Sequence, residues 1–152
     1  MAQSAFKDSI RSILDVKGHD VWSIAPSATV YDALALMKEH DIGALVVVSE
    51  NAPVGMISER DYARKLVLHG RTSRQTEVRE VMSTPLITVT PDHTVEECLR
   101  IMTENRVRHL PVLDQGRLAG VVSIGDLVNA VISAQDQTIQ QLKSYIAGKY
   151  PS

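Results

Sequence analysis

A hydroxyl and a carboxylate stand three residues apart at two places in this sequence, Ser123-Ile-Gly-Asp126 and Ser58-Glu-Arg-Asp61. Each follows directly on an apolar run of strand length. Two chemistries suit that arrangement. At a helix start, Ser-x-x-Asp is a capping box whose hydroxyl and carboxylate satisfy orphan backbone N–H groups, contributing about 1 kcal/mol. Facing a cleft, the same carboxylate can accept both hydroxyls of a ribose diol, while the helix N-terminus favours a nearby phosphate. Residue types alone leave both open. Gly120 at the strand end and Gly125 inside the turn would let a ligand approach the backbone. Thr29/Asp32 and Thr94/Glu97 share the capping spacing and need no second role.

Arg108 and His109 stand at the entry of the apolar run over 107–113, ahead of Ser123, and charged groups there need an anionic or polar partner. That partner is either an internal carboxylate or a phosphate, which a guanidinium fork suits well. The positions 65 residues earlier hold Gly43 and Ala44, and Arg60 stands beside Asp61 where the other copy has Gly125. The two copies thus draw their cations from different places. Arg64, Lys65, Arg71, Arg74 and Arg79 form a loose basic run without interleaved aromatics, which reads as a solvated face. Trp22 reads as core, with stacking on a base at the cleft edge as the alternative. Cys98 aligns with Ala33 on an apolar helix face and reads as a buried core thiol.

Catalytic patterns are missing. The histidines (19, 40, 69, 93, 109) show neither His-x-His nor His-Glu-x-x-His spacing, so no metal site is expected. There is no Gly-x-Ser-x-Gly nucleophile elbow and no phosphate loop ending in Gly-Lys-Ser/Thr.

The elements that must position these residues come in two rounds. Ile10, Ile13, Leu14 and Val16 fit one face of a lead-in helix, and Val21–Ile24 is a short extended segment. Val30, Ala33, Leu34 and Met37 fall at helical spacing behind Thr29. Ala44 to Val48 suits a strand buried on both faces, followed by a second strand from Val54 to Ile57 and a helix over 59–68. After a polar linker the pattern restarts. Pro26/Pro91, Thr29/Thr94, Leu34/Leu99, Met37/Met102, Leu45/Leu110, Gly55/Gly120, Ser58/Ser123 and Asp61/Asp126 are all 65 positions apart, which marks an internal duplication. The expected organisation is a first repeat with lead-in helix over 9–70, a linker at 71–76, and a second repeat over 77–146. Residues 1–8 and 147–152 are expected to be flexible ends. Each repeat leaves an apolar face uncovered, so the halves are expected to pack with pseudo-twofold symmetry, a cleft on each side. A last helix over 124–145 carries a stripe (Val128, Val131, Ile132, Ile139, Leu142, Ile146) that suits a fold-back or a subunit interface.

Bulk composition narrows the function. Hydrophobic residues make up 44% and charged residues 22% of the 152, ordinary for a globular α/β chain. A net charge of −2 argues against a general nucleic-acid binder. No apolar run is long enough to span a membrane, and the start of the chain lacks a secretory signal pattern. The single cysteine points to a reducing, cytoplasmic compartment.

With Gly-x-x-Ser-x-x-Asp closing each copy and Arg-His-Leu-Pro-Val-Leu at 108–113, the chain resembles a pair of CBS domains, or Bateman module, over about residues 13–146. It is similar to small stand-alone CBS-pair proteins through Ile42-Gly-Ala-Leu-Val-Val-Val48, Glu59-Arg-Asp-Tyr-Ala-Arg-Lys65 and Ser123-Ile-Gly-Asp126. The resemblance implies tandem β-α-β-β-α repeats packed through their sheets and modules that commonly dimerise. It implies an adenosyl ligand in the clefts: AMP, ADP, ATP, NAD(H) or S-adenosylmethionine. Asp126 and Asp61 would hold ribose hydroxyls, with Ser123, Gly125, Ser58 and Arg60 lining the same pockets. Arg108 and His109 would meet phosphate beside Asp126, and backbone near Val21, Trp22, Gly43 and Ala44 would contact the adenine of that same site. The implied function is a non-catalytic, homodimeric sensor of adenine nucleotides. The alternatives are an interaction protein with empty clefts, or a regulatory subunit related to the CBS domains of inosine monophosphate dehydrogenase, whose catalytic barrel is absent here.

Overall fold

The computed structural model describes residues 5–134, and the 65-residue spacing of the sequence returns in it as backbone. In chain order the elements are α1 (Arg11–Lys17), β1 (Ser23–Ile24), α2 (Val30–His40), β2 (Ala44–Ser49), β3 (Ala52–Ser58), α3 (Glu59–Asp61), α4 (Val95–Asn105), β4 (His109–Asp114), β5 (Arg117–Ser123) and α5 (124–134). The fold is mixed α/β, with two small sheets and helices. Helix α3 widens into a π turn over Tyr62–Leu66 and tightens again over Val67–His69. The stripe positions 139, 142 and 146 expected on the last helix lie outside the described residues, as do 1–4 and 147–152.

Paired elements begin and end for the same local reasons. Thr29 accepts a hydrogen bond from Asp32 N at 3.1 Å to start α2, and Thr94 accepts one from Glu97 N at 3.1 Å to start α4. Both helices stop where a residue turns left-handed, Asp41 at φ 52° and Arg106 at φ 55°. Their buried stripes are Val30, Ala33, Met37 and Val95, Cys98, Met102, identical in register. A three- or four-residue recurrence of apolar side chains is what folds each helix onto its sheet.

The sheets differ by one strand. In the first, β1 runs parallel to β2 and β3 antiparallel to it. In the second, β4 and β5 pair, and residues 86–89, the counterpart 65 positions on from Val21–Ile24 where the repeat predicts a short strand, contribute only the isolated parallel bridge Val89–Val112. Proline explains the loss. Val46 N donates to Trp22 O at 3.2 Å and helps hold β1; its counterpart is Pro111, which has no N–H to donate. Its carbonyl still accepts from Val89 N at 3.1 Å, leaving the single bridge.

The chain forms two compact units that cut across the sequential repeats. One contains 5–19, Val89–Gly116 and 120–134; the other contains Asp20–Thr88 and Arg117–Ala119. Lead-in segments are therefore exchanged. In the first-named unit, Ile10 N and Arg11 N donate to His93 O (2.9 Å) and Pro91 O (3.1 Å). In the other, Val78 N and Arg79 N donate to Ala28 O (2.8 Å) and Pro26 O (3.0 Å). The docking segments repeat at 68 positions (Ile10/Val78, Arg11/Arg79), whereas their receivers repeat at 65 (Pro26/Pro91, Ala28/His93). In the second unit Val78 and Val81 close the apolar cluster of Val30, Met37, Leu45, Val47, Ile57 and Leu66.

Candidate functional site

Each repeat ends on the same turn. Strand β5 stops at Ser123, whose Oγ accepts from Asp126 N at 3.1 Å while Asp126 Oδ2 accepts from Ser123 N at 2.8 Å. Ser58 and Asp61 do the same at 3.2 and 2.9 Å. Both are reciprocal capping boxes. The backbone also ties each turn to the entry of the preceding strand: Ile124 N donates to Arg108 O at 2.8 Å, and Glu59 N to Gly43 O at 3.0 Å. Hence Arg108 and His109 stand next to Ser123–Asp126, and Gly43 and Ala44 next to Ser58–Asp61. Arg108 is exposed and His109 half-buried. Val21, Trp22 and Arg60 belong to the unit of Asp61.

Beyond the shared box, the two carboxylates live differently. The Asp61 side chain is only 11% exposed, and both of its oxygens are taken. Oδ2 receives Ser58 N and Ser58 Oγ (3.1 Å); Oδ1 receives Ser83 Oγ at 3.2 Å and Lys65 Nζ at 3.1 Å. A carboxylate has about four acceptor positions, so a diol would have to displace two of these donors. The Asp126 side chain is 24% exposed, and Lys17 Nζ reaches its Oδ2 at 2.6 Å from the end of α1. Asp126 Oδ1 accepts no hydrogen bond among the described residues. Burial opposes ionisation of Asp126, but the Lys17 ammonium and the Ser123 N–H outweigh it and hold the carboxyl below its ordinary range.

The glycines divide in the same way. A Cβ on Gly120 would lie 2.6 Å from Leu14 Cδ2, and one on Gly55 would lie 3.0 Å from Met82 Sδ. Gly120 is bare so that the docking segment can pack, and the expectation that it admits a ligand is corrected. At Gly125 an added Cβ would meet only Ser123 Oγ at 3.6 Å, so that position is open.

Other expectations fare unevenly. Trp22 is 40% exposed rather than core, its ring stacked on His40 with centroids 3.5 Å apart. The basic run is not a bare solvated face: Lys65 binds Asp61 and Val81 O, Arg71 binds Glu80 at 2.6 Å, and Arg74 lies 3.8 Å over the Tyr31 ring. Cys98 is free and fully buried, and desolvation with Glu97 nearby pushes its thiol up to about 11. Among the described residues no group of three or more His, Cys, Asp or Glu is placed to hold a metal ion. No helix among them is long and apolar enough to cross a membrane. Lys17, Lys65 and Ser83 were missed by sequence reasoning. Only Lys65 carries a local signal, standing four residues after Asp61 at helical ion-pair spacing.

Comparison with known proteins agrees with this architecture. The model of the CBS domain family matches residues 13–68 and again 78–133. A mitochondrial CBS domain-containing protein of Arabidopsis thaliana, CBSX3, is 40% identical over 99% of this chain and 78% of its own length. A solved structure of a protein with CBS domains from Burkholderia ambifaria superimposes with a TM-score of 0.80 at 45% identity, covering 83% of this chain and 95% of that one. A hexameric CBS-CP12 protein from bloom-forming cyanobacteria gives 0.73 at 27% identity, covering 93% and 87%.

Proposed function

Because the chain belongs to the CBS-domain family and carries two copies of that regulatory, signal-transduction type of module, we propose that it binds an adenosyl ligand at Asp126 and reports its level. The ligand class is AMP, ADP, ATP, NAD(H) or S-adenosylmethionine. One observation carries the reading. Asp126 is a half-buried, ionised carboxylate with Oδ2 fixed by Ser123 and Lys17, and with Oδ1 left to accept a ribose hydroxyl. Beside it stand Arg108 and His109 for phosphate, and the open Gly125. Asp61, Ser58 and Arg60 are the secondary candidate, since Asp61 must first give up internal donors. No step of chemistry is assigned to any of these residues; the response is a shift between states of unequal ligand affinity.

Self-association as a homodimer belongs to the same proposal. Ile124, Val128 and Ile132 recur every four residues along α5 and are 41%, 42% and 47% exposed, a stripe suited to a second copy. We place the chain in a reducing compartment, the cytoplasm, on its single buried thiol; the Arabidopsis relative is named as mitochondrial. An interaction module with empty clefts is the second reading, favoured by the capping and Lys17 bonds that already occupy Asp126 Oδ2.

Thermal unfolding with a panel of the adenosyl compounds decides between them. At a hundredfold excess over its dissociation constant a ligand adds about 2.7 kcal/mol, which raises the midpoint by roughly 5–10 °C for a chain of this size. Asp126→Ala is expected to abolish that shift. An equal shift in Asp126→Ala means the ribose assignment is wrong, and no shift with any compound favours the empty module.

A further inference from the structure

We propose that Lys17 selects the ligand at this site: its ammonium cancels the charge of Asp126 and offers its remaining N–H to a phosphate, so phosphorylated adenosyl compounds bind in preference to uncharged or cationic ones. The inference rests on the adenosyl reading of Asp126 and narrows it. Lys17 is the last residue of α1, a segment that docks on this unit from the far end of the sequence. Its Nζ is held at two points, by Val121 O at 2.7 Å and by Asp126 Oδ2 at 2.6 Å. An ammonium has three donors, and the third has no partner among the described residues. Two anchors fix where that donor points.

Charge then decides what it meets. Asp126 alone would repel a phosphate and attract a cationic sulfonium. With Lys17 bound to it the pair is neutral, and Arg108, exposed and joined to this turn through its backbone carbonyl, adds a positive charge to the neighbourhood. The other copy is built differently. Lys65 likewise binds its aspartate and a backbone carbonyl, Val81 O, but its partner Asp61 has every acceptor filled whereas Asp126 keeps Oδ1 open. Folding gives Lys17 little reason to be where it is, since an ion pair with a lysine 40% exposed contributes about 0–1 kcal/mol. Its removal is therefore expected to leave the fold in place.

The test is calorimetric titration of the full chain with adenosine, AMP and S-adenosylmethionine, using wild type, Lys17→Met and Lys17→Arg, with melting curves to verify folding. Wild type is expected to bind AMP at least about tenfold more tightly than adenosine or S-adenosylmethionine. Lys17→Met should lower the ratio of AMP to adenosine affinity about tenfold, and Lys17→Arg should restore most of the preference. A Lys17→Met chain with the wild-type ratio of AMP to adenosine overturns the selection and leaves the adenosyl reading standing. Wild type favouring S-adenosylmethionine over AMP overturns it as well. Absence of binding by all three compounds overturns both.

Discussion

Replacing Gly120 by alanine tests the docking of α1 on β5, on which the placement of Lys17 depends. The added Cβ would lie 2.6 Å from Leu14 Cδ2, far inside normal contact, and Leu14 is buried, so its branch cannot simply swing into solvent. Gly120 has no left-handed backbone that would itself object to alanine. The cost is therefore overpacking, roughly 1–3 kcal/mol. Leu14→Ala alone should cost about 2–5 kcal/mol by opening a cavity. Together the two changes remove the clash, and the alanine methyl fills part of the space. The double variant should then be no worse than Leu14→Ala, a coupling of at least about 1 kcal/mol. Urea unfolding of wild type, both singles and the double measures that coupling. Gly125→Ala is the internal control, expected to change stability by no more than about 1 kcal/mol, and in the favourable direction. Additive costs, or a Gly120→Ala chain as stable as wild type, would refute the packing argument.

Further expectations concern the carboxylates and the thiol. Asp61→Ala should destabilise by about 2–3 kcal/mol because it strands Lys65 and Ser83, whereas Asp126→Ala should cost about 1 kcal/mol for the lost cap; equal losses by denaturant titration would contradict the difference in burial. The depressed Asp126 carboxyl adds stability that is fully present above its unfolded value near pH 4 and is lost as pH falls through the lower folded value. Lys17→Met should weaken that acid-side loss, read as a smaller drop in unfolding free energy between pH 5 and pH 3. Cys98, buried and pushed up to about 11, should react with a thiol reagent only at the rate at which the chain opens; fast labelling of the native chain would contradict its burial.

What the sequence made legible was local. Thr29, Thr94, Ser58 and Ser123 announce helix starts within three residues, and the apolar runs behind them fix strands, so the repeat could be laid out element by element. The missing strand at 86–89 was also written there, in Pro111, but only for a reader who asks which N–H its neighbour needs. What stayed hidden was non-local. Nothing near Lys17 points to Asp126, more than a hundred positions away, and nothing near Asp61 points to Ser83. Gly120 looked like an opening because glycine signals close approach without saying what approaches; here it is Leu14. Trp22 looked like core by its size, yet a neighbouring His40 ring satisfies one of its faces at the surface.

On this reading Asp126 holds a ribose while Lys17 stays bound to it. A crystal structure of the chain with AMP tests it directly. A ribose hydroxyl is expected within about 2.5–3.0 Å of Asp126 Oδ1, with the phosphate toward Lys17 and Arg108. AMP seated elsewhere, with Asp126 still bonded only to Ser123 and Lys17, would contradict it.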